Sequence, residues 1–135
     1  MLLDQCQFSD AQALTGSSTE NSTNVIDLEN TTPNVGGGTP IWLYCRVNTT
    51  FASATSQTLI VALQNSTASG GTYVSRLISP TYTVGQLVKG FDMLTTPLPL
   101  DCIRYLKVLY TNAVGSGFTA GNVDAFLSLN APYNP

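Results

Sequence analysis

Apolar and polar positions alternate in short runs along this chain. In IWLYCRVNTTF, Ile41, Leu43, Cys45 and Val47 fall on one side of a period-two repeat, and Trp42 and Tyr44 fall on the other. Period two marks extended backbone, because successive side chains of a strand leave opposite faces of the pleat. Read this way, the pattern predicts strands at Gln7–Leu14, Thr23–Leu28, Ile41–Phe51, Gln57–Gln64, Tyr73–Ile78, Val84–Leu94, Ile103–Tyr110 and Asn122–Leu129. β-branched and aromatic residues concentrate in them, as half-buried pleated surfaces favour. DAQALT at 10–15 would fit one helical turn, but no segment carries a helical repeat capped at both ends.

The breaks between runs are equally legible. ENTTPNVGGGTP at 29–40 holds two prolines and three consecutive glycines, a loop composition. SGGT at 69–72 and GSGF at 115–118 read as hairpin connections, because glycine reaches the positive φ such turns require. TTPLPLD at 95–101 has two prolines, which a central strand does not tolerate. About eight strands at this spacing predict an all-β fold: one domain over residues 1–135, a two-sheet sandwich with jelly-roll-like topology.

Alternation also predicts the faces. Ile41, Leu43, Cys45 and Val47 form one inward stripe, and Leu59, Val61 and Leu63 a second. Leu106, Val108 and Tyr110 form a third, and Val123, Ala125, Leu127 and Leu129 a fourth. The opposite faces are unusual. Trp42, Tyr44, Ile60, Ala62, Tyr105, Leu109 and Phe126 then point outward, where a wetted sheet normally carries Thr, Lys or Glu. Either the chain's own arms and loops cover this second apolar set, or other subunits do, since contiguous apolar patches mark interaction sites.

Composition sharpens the picture. The chain has 135 residues, 43% of them hydrophobic, enough for one core. Only 10% are charged, with a net charge of −3, and the five basic residues Arg46, Arg76, Lys89, Arg104 and Lys107 are dispersed. A phosphate backbone needs a basic patch and a membrane surface needs a basic cluster or a long apolar span, so neither nucleic acid nor membrane is an expected partner. The start, MLLDQCQFSD, has no basic region and meets Asp4 early, so it does not read as a signal peptide. Cys6, Cys45 and Cys102 are an odd, widely spaced set, read as reduced thiols of a protein made in a cytoplasm. A bridge between Cys45 and Cys102 after release from the cell is the alternative.

Catalysis has few places to reside. The sequence holds no histidine, which removes Ser–His–Asp and Cys–His pairs and most zinc and iron sites. Cys45 lies mid-strand on an inward face, where a thiol packs rather than reacts. No phosphate-binding glycine motif precedes a helix, and Asp27 and Glu29 lack calcium-loop spacing. Asp92, Asp101 and Asp124 near predicted strand ends are the last recourse, as a carboxylate pair of the glycosidase type. The expectation is a protein without enzymatic activity, cofactor or metal.

FSDAQALT, STNVIDL, GGGTPIWLYCRVNTTF, TLIVALQNST, LPLDCIRYLKVLYTNA and FTAGNVDAFLSLN occur in that order along nearly the whole chain. Their joint order resembles the capsid cement, or decoration, proteins of tailed phages typified by a Bordetella phage. The most distinctive pieces are FSDAQ…IDL, LP…RYL and FTAG, none of them catalytic. The resemblance implies a virion protein on the outer surface of the capsid, made in the host cytoplasm, that binds the major capsid protein and copies of itself as a dimer or trimer. The expected partner interface is Trp42, Tyr44, Ile60, Tyr105, Leu109 and Phe126. The rival expectation is a carbohydrate-binding sandwich for host attachment, with Trp42, Tyr44 and Tyr105 stacking on sugars.

Overall fold

A computed structural model describes residues 7–14, 19–28, 41–53, 57–98, 103–112 and 118–128. Among these residues there are ten strands and no helix. They are β1 (Gln7–Ala13), β2 (Thr19–Asn21), β3 (Ile26–Asp27), β4 (Trp42–Ala52), β5 (Thr58–Ser66), β6 (Val74–Ile78), β7 (Tyr82–Thr83), β8 (Asp92–Pro97), β9 (Tyr105–Asn112) and β10 (Ala120–Ser128). One sheet has the order β1-β10-β4-β8 and the other β2-β9-β5-β6, with the two-residue strands β3 and β7 paired to β9 and β5. Every pairing is antiparallel.

The topology follows from which strands meet. β1 pairs with β10, β2 with β9, β4 with β8 and β5 with β6, so the early strands meet the late ones in reverse order. That is a long antiparallel hairpin rolled into two sheets, the jelly-roll path. Setting the two-residue strands aside leaves eight, the expected number but not the same set: β2 was not expected, and the strand expected over Thr23–Leu28 survives only as the two-residue β3.

The inward stripes fall where alternation places them. Leu43, Cys45, Val47, Leu59, Val61, Leu63, Leu106, Val108, Tyr110, Val123, Ala125 and Leu127 are all buried, and Ile41 packs against them half-buried. Leu129 lies outside the described residues. Phe8, Leu14, Ile26, Phe51, Leu87, Met93, Leu98 and Phe118 complete the same core. Leu63 is fully buried in the middle of β5, so Leu63→Ala should cost about 2–5 kcal/mol through the cavity it leaves. Half-buried Thr58→Ala should cost well under that. Denaturant midpoints measure both.

Several elements differ from their sequence reading. Residues 10–14 form no helical turn: Ala11 takes a left-handed φ of 48° within β1, whose pairing with β10 shifts register twice. The strand expected over Thr23–Leu28 contracts to β3, because Ser22 Oγ, Thr23 and Asn24 hydrogen-bond locally or across to β1. The strand expected over Val84–Leu94 begins only at Asp92, and turns occupy its first half. Conversely, β8 runs through Thr95, Thr96 and Pro97, expected to be loop. Pro97 is tolerated because β8 is an edge strand with no ladder on its far side. SGGT at 69–72 does connect the paired strands β5 and β6, but without the expected positive φ at Gly70 or Gly71, while 113–117 in front of Phe118 and the loop 29–40 lie outside the described residues.

Candidate binding faces

The outward residues divide between the two sheets. Trp42 and Tyr44 on β4 and Phe126 on β10 share the outer face of the first sheet, where Tyr44 pairs with Phe126 across the strands. Their rings meet edge to face at 4.9 Å, a favourable aromatic geometry. Ile60 on β5 and Tyr105 and Leu109 on β9 lie on the outer face of the second sheet. The core separates the two groups, so the fold makes two apolar faces, back to back.

They differ in accessibility. Tyr44 is only 5% exposed although it sits on an outer face. Trp42, Phe126, Ile60, Tyr105 and Leu109 are half-buried. The second face extends further than the sequence showed, as a row running Ile78–Ala62–Leu109 across β6, β5 and β9. Ile78, at 67%, is the most exposed large apolar residue among those described. The missed signal was the alternation within VSRLI, whose only charge is Arg76.

Charges near these faces are mostly paired within the chain. Arg46 Nε donates to Asp92 Oδ1 at 3.1 Å, and its guanidinium lies 4.7 Å from the Tyr44 ring centre. Arg104 bonds both carboxylate oxygens of Asp27 at 2.8 and 3.0 Å and covers Tyr105 at 4.9 Å. Lys107 lies over Tyr73 at 4.2 Å. Asp124 is mid-strand rather than near a strand end. Its Oδ1 accepts the N–H of the left-handed Ala11 at 2.7 Å and its Oδ2 accepts from Asn48 Nδ2 at 2.9 Å. Asp92 and Asp124 are thus each engaged structurally, and Asp101 lies outside the described residues.

A polar thread links the sheets, buried between Ser9 and Tyr110 and exposed where Gln12 meets Asn21 and Thr23. Ser9 Oγ donates to Gln12 Oε1 at 2.7 Å, which leaves Tyr110 as the donor in its 2.8 Å bond to Ser9 Oγ. Cys45, free and fully buried, lies on the inward side of β4. Gln12 Oε1 also accepts from Thr23 N and Oγ1, and Gln12 Nε2 donates to Asn21 O at 2.8 Å. This thread ties β1 to the edge of the opposite sheet.

Burial pushes the Cys45 thiol up from 9.0 to about 12. Burial likewise holds Tyr110 well above its ordinary value. Both groups keep their protons in the folded state and shed them more readily when unfolded. The Cys45 contribution is complete below about pH 9 and is lost as pH rises toward 12, and the raised Tyr110 adds to the loss in the same direction at alkaline pH. Melting temperature should therefore fall across that window, and Cys45→Val should flatten part of the fall. Iodoacetamide at pH 8 should leave native Cys45 unmodified and label it once the chain is unfolded.

The short signatures of the sequence acquire structural roles. In FSDAQ, Phe8 fills the core, Ser9 reaches Tyr110, Ala11 makes the left-handed step and Gln12 staples the sheets. The Asp27 of IDL meets the Arg104 of RYL. In FTAG, Phe118 packs edge-on against Phe51 at 4.7 Å, and Gly121 sits directly beneath the Phe51 ring.

The fold and its two apolar faces define a jelly-roll sandwich of small, sparsely charged surface. The Bbp16 family model matches residues 8–127, from Phe8 of the first signature to the last core leucine of β10. The chain belongs to the Bbp16 family, a Bordetella phage protein family, and is a phage-associated protein. A comparison with curated proteins found none that matches.

Proposed function

We propose that this protein is a capsid cement: a virion protein that binds the outer surface of a phage head, bridges neighbouring major capsid proteins and stabilises the shell. It acts by non-covalent binding to the major capsid protein and to copies of itself, without catalysis. The observation that carries this role is the pair of apolar faces on opposite sides of one sandwich in a phage-family chain. A protein with two such faces can touch two neighbours at once, and repetition over a shell multiplies modest affinities. Sugar stacking is less well served, since Tyr44 is buried and Arg104 already covers Tyr105.

The test is removal and return. Phage lacking the gene should yield heads that rupture at lower temperature, and purified protein added back should restore their heat resistance. The same protein should hydrolyse no polysaccharide. Heads of unchanged heat resistance that carry none of the protein would overturn the proposal.

A further inference from the structure

The connection from β7 to β8 is bonded almost as completely as a strand. The N–H groups of Gln86, Leu87, Val88 and Phe91 donate to Thr83 O, Val84 O, Gln86 O and Val88 O at 2.9, 3.2, 3.0 and 2.9 Å. Those of Lys89 and Gly90 donate to Thr50 Oγ1 at 3.0 Å and Val47 O at 2.9 Å, on β4. Every backbone donor from Gln86 to Phe91 is thus satisfied. Leu87 anchors the loop: its side chain is fully buried and its carbonyl accepts from Phe51 N at 2.9 Å. Gly90, at φ +89°, supplies the left-handed step that returns the chain to β8.

From this fixed base Val88, 48% exposed, and Lys89 project into solvent side by side. Gln86 folds its side-chain oxygen back onto Thr83, so it adds nothing outward. Arg46, Arg76, Arg104 and Lys107 each lie against a carboxylate, an amide or a tyrosine ring. The Lys89 ammonium has no partner among the described residues. A mere connector in this protein is built differently: the exposed turn at 67–72 is Thr-Ala-Ser-Gly-Gly-Thr.

We propose that residues 86–90 form a docking finger for a carboxylate-bearing surface of the shell protein. Val88 enters a shallow apolar depression and Lys89 pairs with an acidic side chain at its margin. The inference rests on the shell-binding role proposed above and specifies one contact of it. Three physical points favour it. The loop is already ordered, so binding does not have to freeze it. An apolar group beside the charge excludes water from the pair and strengthens it. Lys89 is the one basic residue without a partner among the described residues, so it selects a carboxylate and repels a second copy of the same finger.

Phage particles are grown carrying the wild-type protein, Val88→Asp, Val88→Thr, Lys89→Gln or the control Thr67→Ala. Bound copies are counted by gel densitometry after washing at about 0.1 and 1 M NaCl, which bracket strong and weak charge interaction. Val88→Asp should cut bound copies at least tenfold at both salt concentrations, and Val88→Thr severalfold. Lys89→Gln should cut them by about a third at low salt, the modest worth of an exposed ion pair, with the gap to wild type closing at high salt. Thr67→Ala should bind as wild type does. All variants should melt within about 2 °C of wild type, as exposed substitutions normally do. Wild-type retention of the Val88 and Lys89 variants would overturn the finger and leave shell binding standing. Wild-type protein absent from the particles would overturn shell binding, and the finger with it.

Discussion

Gly121→Ala is expected to destabilise the protein by about 3–6 kcal/mol, the sum of a backbone and a packing effect. Gly121 has a φ of +141°, a conformation open to glycine and strained for any residue with a Cβ. A Cβ built there would lie 2.4 Å from Phe51 Cγ, with two further ring carbons within 2.8 Å. The ring has little room to retreat, because Phe51 is buried and packs edge-on against Phe118 at 4.7 Å. Against a typical total stability of about 5–15 kcal/mol, this approaches loss of the fold. The melting temperature should drop by roughly 10–20 °C at the few degrees per kcal/mol usual for a domain of this size. Phe51→Leu should recover part of the loss by removing the ring but not the backbone strain. A Gly121→Ala variant melting with wild type would mean that Phe51 does not lie over this glycine.

Attachment to the head, if it rests on the apolar faces, should survive salt and fail on truncation of side chains. Few ion pairs are available to an interface, because Arg46, Arg104 and Lys107 are engaged within the chain. Trp42→Ala on the first face and Leu109→Ala on the second should each weaken attachment by about 2 kcal/mol or more, the usual cost of truncating a central interface residue. Both are half-buried, so the monomer should remain folded; Tyr44, at 5% exposure, makes a poorer probe because its loss would also loosen the fold. Raising NaCl from about 0.1 to 1 M shrinks the screening length to roughly 3 Å and should release little wild-type protein. The measurement is the mass of protein washed from decorated heads. Release by salt, with both variants still bound, would place the interface elsewhere. Loss on only one variant would assign the shell contact to that sheet.

Much of the fold was legible because burial in a two-sided sandwich writes itself as period two. Leu59, Val61 and Leu63 alternate without interruption, and so do Leu106, Val108 and Tyr110, which leaves their inward direction unambiguous. Thr19–Glu20–Asn21 was invisible because a three-residue edge strand held through β9 needs no apolar residue of its own. Val84–Leu94 misled for the opposite reason. Val84, Leu87 and Phe91 are apolar because they anchor consecutive turns on the core, with Leu87 fully buried, and apolar content alone does not separate anchor from strand. The candidate faces were legible only in part. Alternation shows that Trp42 and Ile60 point outward, but not that β4 and β5 belong to different sheets. Strand partnership depends on contacts between distant segments, and no local pattern encodes it.

The closing of β1 onto β10 has a consequence for when the protein can exist. Ala11 and Asp124 hold each other across 113 positions, and Ser9 reaches Tyr110 across 101. β10 is the neighbour of both β1 and β4, so a growing chain can form only the β4–β8 part of the first sheet until β10 has been synthesised. Folding of that sheet must wait for β10 and then bring remote segments together, a slow path for which loop closure precedes any reward. The exposed apolar stretches of the emerging chain are the interval's hazard, and the chaperones of the host are their natural custodian. Supply of the finished protein would then lag its synthesis, setting a delay between translation and first use.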